Sequence, residues 1–164
     1  MTKLSPFLIE QLTTQVEQCY LIAERRLKQQ FSRPTILFNQ RGKIAGSAML
    51  QSNTLRFHPL IYQQNKQHFL AHVVPHEIAH LLVWQLHGKT RPHGKEWQTL
   101  MTQVFEVPAY TTHRYDVSQL GLTSFLYYCQ CGDVELTVRR HNKVLKGAQY
   151  RCKACNETLV IKIA

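Results

Sequence analysis

The sequence has no run approaching the roughly 18–20 apolar residues that a membrane-spanning helix needs. Its first residues, Met-Thr-Lys-Leu-Ser-Pro, supply no apolar core followed by a small-residue cleavage site, so a cytoplasmic chain with no membrane partner is expected. Acidic residues are scarce, ten against twenty Lys and Arg, which gives a formal charge of +10 and a pI near 9.6. That balance favours polyanions such as nucleic acid, DNA or RNA, as partners. A dense basic block is also missing, since residues 1–125 carry 13 basic and 7 acidic side chains and residues 126–164 carry 7 and 3. Sequence-specific reading of nucleic acid is therefore not demanded. Cysteine is almost absent before the C-terminal region; Cys19 stands alone in an apolar helical stripe and reads as an inert buried thiol. Apolar residues are plentiful, 44% of 164, enough for a core, and the length suits one ordinary domain or a domain of about 120 residues with a small appendix.

The most informative stretch is Val74-Pro75-His76-Glu77-Ile78-Ala79-His80-Leu81-Leu82. Residues i and i+4 lie one above the other on a helix. His76 and His80 can therefore aim ring nitrogens at one ion about 2.0–2.1 Å away. Glu77 lies one step round the helix, where it reaches a water on that ion and can take its proton as the water attacks a peptide carbonyl. The flanking Ile78, Ala79, Leu81, Leu82, Val83 and Trp84 make the helix apolar on most sides, and ionisable groups in such a helix need partners. This is the pattern of a zinc metallopeptidase.

Around it the chain reads as an α+β domain. Residues 5–31 form an amphipathic helix opened by Ser5-Pro6 and ended before Pro34. Residues 35–58 read as strand, turn, strand, turn, strand: a small antiparallel sheet whose edge could pair with an extended peptide. Residues 62–87 contain the motif helix, with Pro75 forcing a kink or a fresh start. His68 and His72 extend the four-residue series, but side chains spread along about 12 Å of helix cannot surround one ion, so they read as bystanders. A third ligand must come from beyond the His87-Gly88 helix end, from either His93 or Glu96. In the linking loop 106–123, Tyr110, His113, Arg114 and Tyr115 are candidates for stabilising an oxyanion.

Residues 124–164 contain Tyr128-Cys129-Gln130-Cys131-Gly132 and Tyr150-Arg151-Cys152-Lys153-Ala154-Cys155, two thiol pairs separated by 20 residues. With alternating Val134–Val138, a turn over 139–143 and a last strand at Leu159–Ile161, this predicts a zinc ribbon with one structural Cys₄ zinc. Fewer than about 40 residues cannot build a self-sufficient core, so the metal supplies much of the folding energy. His141 is a possible substitute ligand. Arg139, Arg140, Lys143, Lys146, Arg151 and Lys153 are candidate phosphate contacts.

The His76–His80 helix, the Pro92-His93-Gly94-Lys95-Glu96-Trp97 segment, the Asn53–Pro59 entry and the paired cysteines together resemble the SprT family. That family is related to the Spartan proteases, which act on DNA–protein crosslinks. The resemblance covers most of the chain from about residue 15. It implies His93 as third ligand, Glu96 in a supporting role, Glu77 as general base, and protein bound or crosslinked to DNA as substrate. The expectation is thus a zincin-type α+β metallopeptidase domain over residues 1–122 and a Cys₄ ribbon over 123–164, with one catalytic and one structural zinc. The competing reading is a nucleic-acid-binding regulatory protein whose three-histidine zinc is structural or vestigial.

Overall fold

The computed structural model describes residues 4–112, 115, 120 and 123–162. Two compact units divide the chain, Met1–Val117 and Ser118–Ala164.

The first unit opens with helix α1 (Pro6–Leu27). Ser5 caps it by accepting the Leu8 amide at 3.4 Å, and the left-handed residue Lys28 (φ 53°) ends it. Its buried stripe runs Leu8, Leu12, Val16, Cys19, Tyr20 and Ala23. Cys19 is therefore core packing, and burial pushes its thiol up to about 12. Strands β1 (Thr35–Leu37), β2 (Gly46–Met49) and β3 (Thr54–Phe57) form a sheet in the order β1-β3-β2. The sheet is mixed. β2 and β3 form the expected antiparallel hairpin, but β1 runs parallel to β3 with Thr35 opposite Thr54. The loop 38–45 carries the chain across β3 instead of turning back beside β1, which leaves β2 on the outer edge.

Helix α2 (Pro59–Gln64) follows, with the His58 ring accepting the Ile61 amide. A continuous helical run then comprises α3 (Lys66–His68), a π-helical turn (Phe69–Val73) and α4 (Val74–His87). The π turn explains how Pro75 is tolerated. A proline lacks the N–H for the regular bond and crowds the carbonyl four residues back. The wider turn before it absorbs that fault, and α4 starts with Pro75 in its first turn. Gly88 ends α4, and α5 (Lys95–Thr99) runs into a second π turn (Leu100–Val104). Phe57, Tyr62, Phe69, Ile78, Leu82 and Trp97 fill the core between helices and sheet. Tyr62 spans it, its hydroxyl donating to the Leu8 carbonyl at 3.1 Å.

The second unit is a three-stranded antiparallel sheet in the order β5-β4-β6: β4 (Ser124–Cys129), β5 (Gly132–Thr137) and β6 (Val160–Ile161). Between β5 and β6 lies helix α6 (Val138–Leu145), where a turn was expected over 139–143. His141 is its buried residue. Its ring stacks on Phe125 at 3.5 Å between centroids and its Nδ1 meets the Tyr127 hydroxyl at 2.9 Å. His141 stands outside the group of four converging thiols, so it serves the ribbon as packing. No helix among the described residues is long and apolar enough to cross a membrane.

Candidate metal centres

Helix α4 presents His76 and His80 one turn apart, and a tight turn brings His93 back to them. In that turn the Gly94 amide donates to the Arg91 carbonyl at 3.0 Å, and a Cβ on Gly94 would sit 2.9 Å from the same oxygen. His93 itself has φ 55°, a left-handed conformation that is costly for a side-chain-bearing residue. Pro92 before it and the start of α5 after it hold the ring over α4.

The result is a close triangle of ring nitrogens. Nε2 of His80 lies 3.3 Å from that of His76 and 3.2 Å from that of His93, and the third side is 3.1 Å. Three donors about 2.0–2.1 Å from one ion at tetrahedral angles stand roughly 3.3–3.4 Å apart. The cluster therefore fits a zinc ion with a fourth position open. Burial first, and the neighbouring His93 second, pull His80 down to about 4, which keeps its nitrogen unprotonated at neutral pH. Burial also lowers His93. Glu96 stands at the head of α5 against Gly94, outside the converging group. The rings of His68 and His72 lie against each other, 4.3 Å between centroids and tilted by 30°, and take no part in the triangle.

Glu77 is 7% exposed and faces the edge strand. Burial raises its carboxyl to about 8, opposed by a hydrogen bond from the Ala48 amide. The bond from the His58 amide to the Ala45 carbonyl at 2.8 Å sets the alternation of β2. The amides of Ser47 and Met49 turn inward to β3, and those of Gly46 and Ala48 turn outward. Glu77 thus occupies one outward amide. A divalent cation beside it would favour its ionised form. Gly46 matters because it has no side chain: an added Cβ would lie 2.9 Å from Glu77 Cγ and 3.1 Å from Oε1.

Trp97 forms the floor. Its ring lies 4.8, 5.6 and 4.7 Å from those of His76, His80 and His93, and its Nε1–H donates to the His76 carbonyl at 3.2 Å. In the sequence Trp97 carried part of the family resemblance without a role at the site, and nothing marked Gly46 or Ala48. The four-residue step from His93 to Trp97 was the available signal for the first; strand pairing alone could reveal the others. Tyr115 lines the space beside His76 and Glu77, yet its hydroxyl meets His68 Nδ1 at 2.8 Å, two turns upstream of His76. Tyr110 is exposed, and His113 and Arg114 lie outside the described residues.

In the second unit the sulfurs of Cys129, Cys131, Cys152 and Cys155 all lie within 4.8 Å of one another. The Cys129–Cys131 and Cys131–Cys152 separations are 3.2 and 3.5 Å, near the roughly 3.8 Å that 2.3 Å zinc–sulfur bonds imply. The single residue between the first pair is accommodated because Cys129 ends β4 and Cys131 sits in the tight turn to Gly132. In the second pair the Asn156 amide returns to the Cys152 carbonyl at 2.9 Å with Asn156 left-handed (φ 60°). Amides of Cys155 and Ala154 lower Cys152 to about 6, favouring the thiolate that binds metal. Arg139, Arg140 and Lys143 lie on α6, Lys146 caps it, and Arg151 and Lys153 flank Cys152; all six side chains are exposed.

The sequence pattern of the SprT-like family matches residues 16–115, and that of the SprT-like zinc ribbon domain matches residues 123–163. Relatives called Protein SprT are 46% identical over 93% of this chain and 98% of the relative in Shewanella oneidensis. The corresponding figures are 45% over 94% and 92% in Yersinia pestis, and 44% over 92% and 94% in Pseudomonas fluorescens. No solved structure matches.

Proposed function

The chain belongs to the SprT-like family, and from that premise we propose that it is a zinc-dependent metallopeptidase. His76, His80 and His93 hold the catalytic zinc, and Cys129, Cys131, Cys152 and Cys155 hold a structural one. The observation that carries the reading is the triangle of ring nitrogens 3.1–3.3 Å on a side with the buried Glu77 carboxylate next in the helix. Zinc bound there supplies Lewis acidity toward a water and a peptide carbonyl. Glu77 takes a proton from the attacking water as its oxygen bonds to the carbonyl carbon, then delivers that proton to the amine nitrogen as the C–N bond breaks. Ala48 orients the carboxylate through its amide. The outward face of β2 is the edge on which an extended substrate would lie.

The division of labour follows residues 1–122 for hydrolysis and 123–164 for recruitment. Proteins bound or crosslinked to DNA are the proposed substrates, in the cytoplasm, with Arg139, Arg140, Lys143, Lys146, Arg151 and Lys153 offering phosphate contacts. This rests on family resemblance and on the net charge of +10.

Metal analysis tests the centre directly. The purified chain should hold two zinc ions, and His93→Ala should lower the catalytic zinc occupancy whereas Glu96→Ala should not. Chelation should abolish proteolysis and added zinc restore it. A single zinc in the parent, or full occupancy in His93→Ala, would refute the assignment.

A further inference from the structure

Between Glu24 and Glu96 the sequence holds 11 Lys and Arg but one carboxylate, Glu77. Glu77 is buried at the site, so the two segments that flank it, the loop 38–45 and the turn 88–95, expose cations without an exposed acid. Some of those cations are used elsewhere: Arg33 pairs with Glu17 and Glu24, and Arg26 with Glu106. Lys43, Lys89, Arg91 and Lys95 are exposed and make no ion pair among the described residues.

Their positions are not scattered. Lys43 lines the space of about 250 Å³ that also contains His76 and Glu77. Arg91 and Lys95 line the space of about 820 Å³ beside His93. Thr111 borders both, so the two adjoin. Lys89 and Arg91 border a smaller recess against His80 and His93. The one acid on these walls besides Glu77 is Glu96. Cations of one sign in a groove focus the local field and hold counter-ions.

We propose that Lys43, Lys89, Arg91 and Lys95 make this cleft select peptide segments carrying Asp or Glu close to the scissile bond. The proposal rests on the peptidase reading and deepens it. A peptide is favoured over nucleic acid as the anion because the cations share walls with the hydrolytic groups. An anion reaching them belongs to the chain being cut, whose backbone lies on the β2 edge.

The test compares two fluorogenic peptides of equal length that differ only in Asp/Glu against Asn/Gln around the scissile bond. Cleavage is measured as kcat/KM on the zinc-loaded full chain, and binding by anisotropy on Glu77→Gln protein. The acidic peptide is expected to lead by about tenfold in both, with the gap closing as salt rises from about 0.05 to about 0.5 M. Lys43→Glu/Lys95→Glu should remove or reverse the preference while zinc content and Tm hold. Equal binding together with cleavage of both peptides overturns the rim proposal alone. Preferential binding of the acidic peptide with cleavage of neither supports the rim and counts against the peptidase reading. Single-stranded DNA that displaces the acidic peptide, and that itself binds more weakly to the double variant, assigns the rim to nucleic acid and overturns the proposal.

Discussion

A methyl group at position 46 would stand 2.9 Å from Glu77 Cγ and 3.1 Å from Val73 Cγ1, closer than side-chain atoms tolerate. Gly46→Val is therefore expected to cost about 1–3 kcal/mol of stability by overpacking, and to lower kcat by displacing Glu77; urea unfolding and steady-state kinetics measure the two. The residues His76, Glu77 and His80 were readable because helical spacing is local. Gly46 was not, since its role depends on a strand some 30 residues away in sequence docking against α4. A different residue-scale effect concerns acid stability. Arg33 first, and the Phe31 amide second, hold Glu24 down to about 2, well below the usual carboxylate range. A carboxyl lowered in the folded state stabilises it above the unfolded pKa, and that contribution fades as pH falls through the folded value. Stability should thus decline from about pH 5 towards pH 2, and Glu24→Gln should flatten part of that decline in pH-resolved thermal melts. An unchanged slope would contradict the role given to this pair.

At the scale of elements, the ribbon is expected to depend most on bound metal. Its core comprises Tyr127, Cys129, Leu136, Cys152 and Leu159, two of which are proposed zinc ligands. So few buried apolar groups cannot offset the chain entropy alone. Cys152→Ser/Cys155→Ser should lower the zinc count from two to one and remove amide protection in β4–β6, while protection in α1 and α4 persists. Retained protection in all strands would show that the ribbon stands without metal. The cysteine spacing made this element legible, but α6 was not: Arg139-Arg140-His141-Asn142-Lys143 lacks apolar residues at helical spacing, and the helix works because His141 packs as an aromatic against Phe125. The π turn over Phe69–Val73 was equally hidden, since Pro75 announces a fault in the helix without saying how it is absorbed. The parallel pairing of β1 escaped for a topological reason, because alternation marks a strand but not its neighbour.

For the whole molecule, the proposed function assigns hydrolysis to one unit and recruitment to the cation-bearing ribbon in the other. Binding of DNA should weaken steeply with salt if Arg139, Arg140, Lys143, Lys146, Arg151 and Lys153 meet phosphates. Anisotropy over a salt series checks this, and a flat dependence would remove charge as the recruiting force. The proposed chemistry turns on Glu77. The decisive measurement is cleavage of one protein, free and crosslinked to DNA, by the zinc-loaded parent and by Glu77→Gln at equal zinc content. The parent should cleave the crosslinked form in preference to the free one, and the variant should be slower by about 10²–10⁴-fold. Equal rates for parent and variant, or no cleavage of either substrate by a parent carrying both zinc ions, would contradict it.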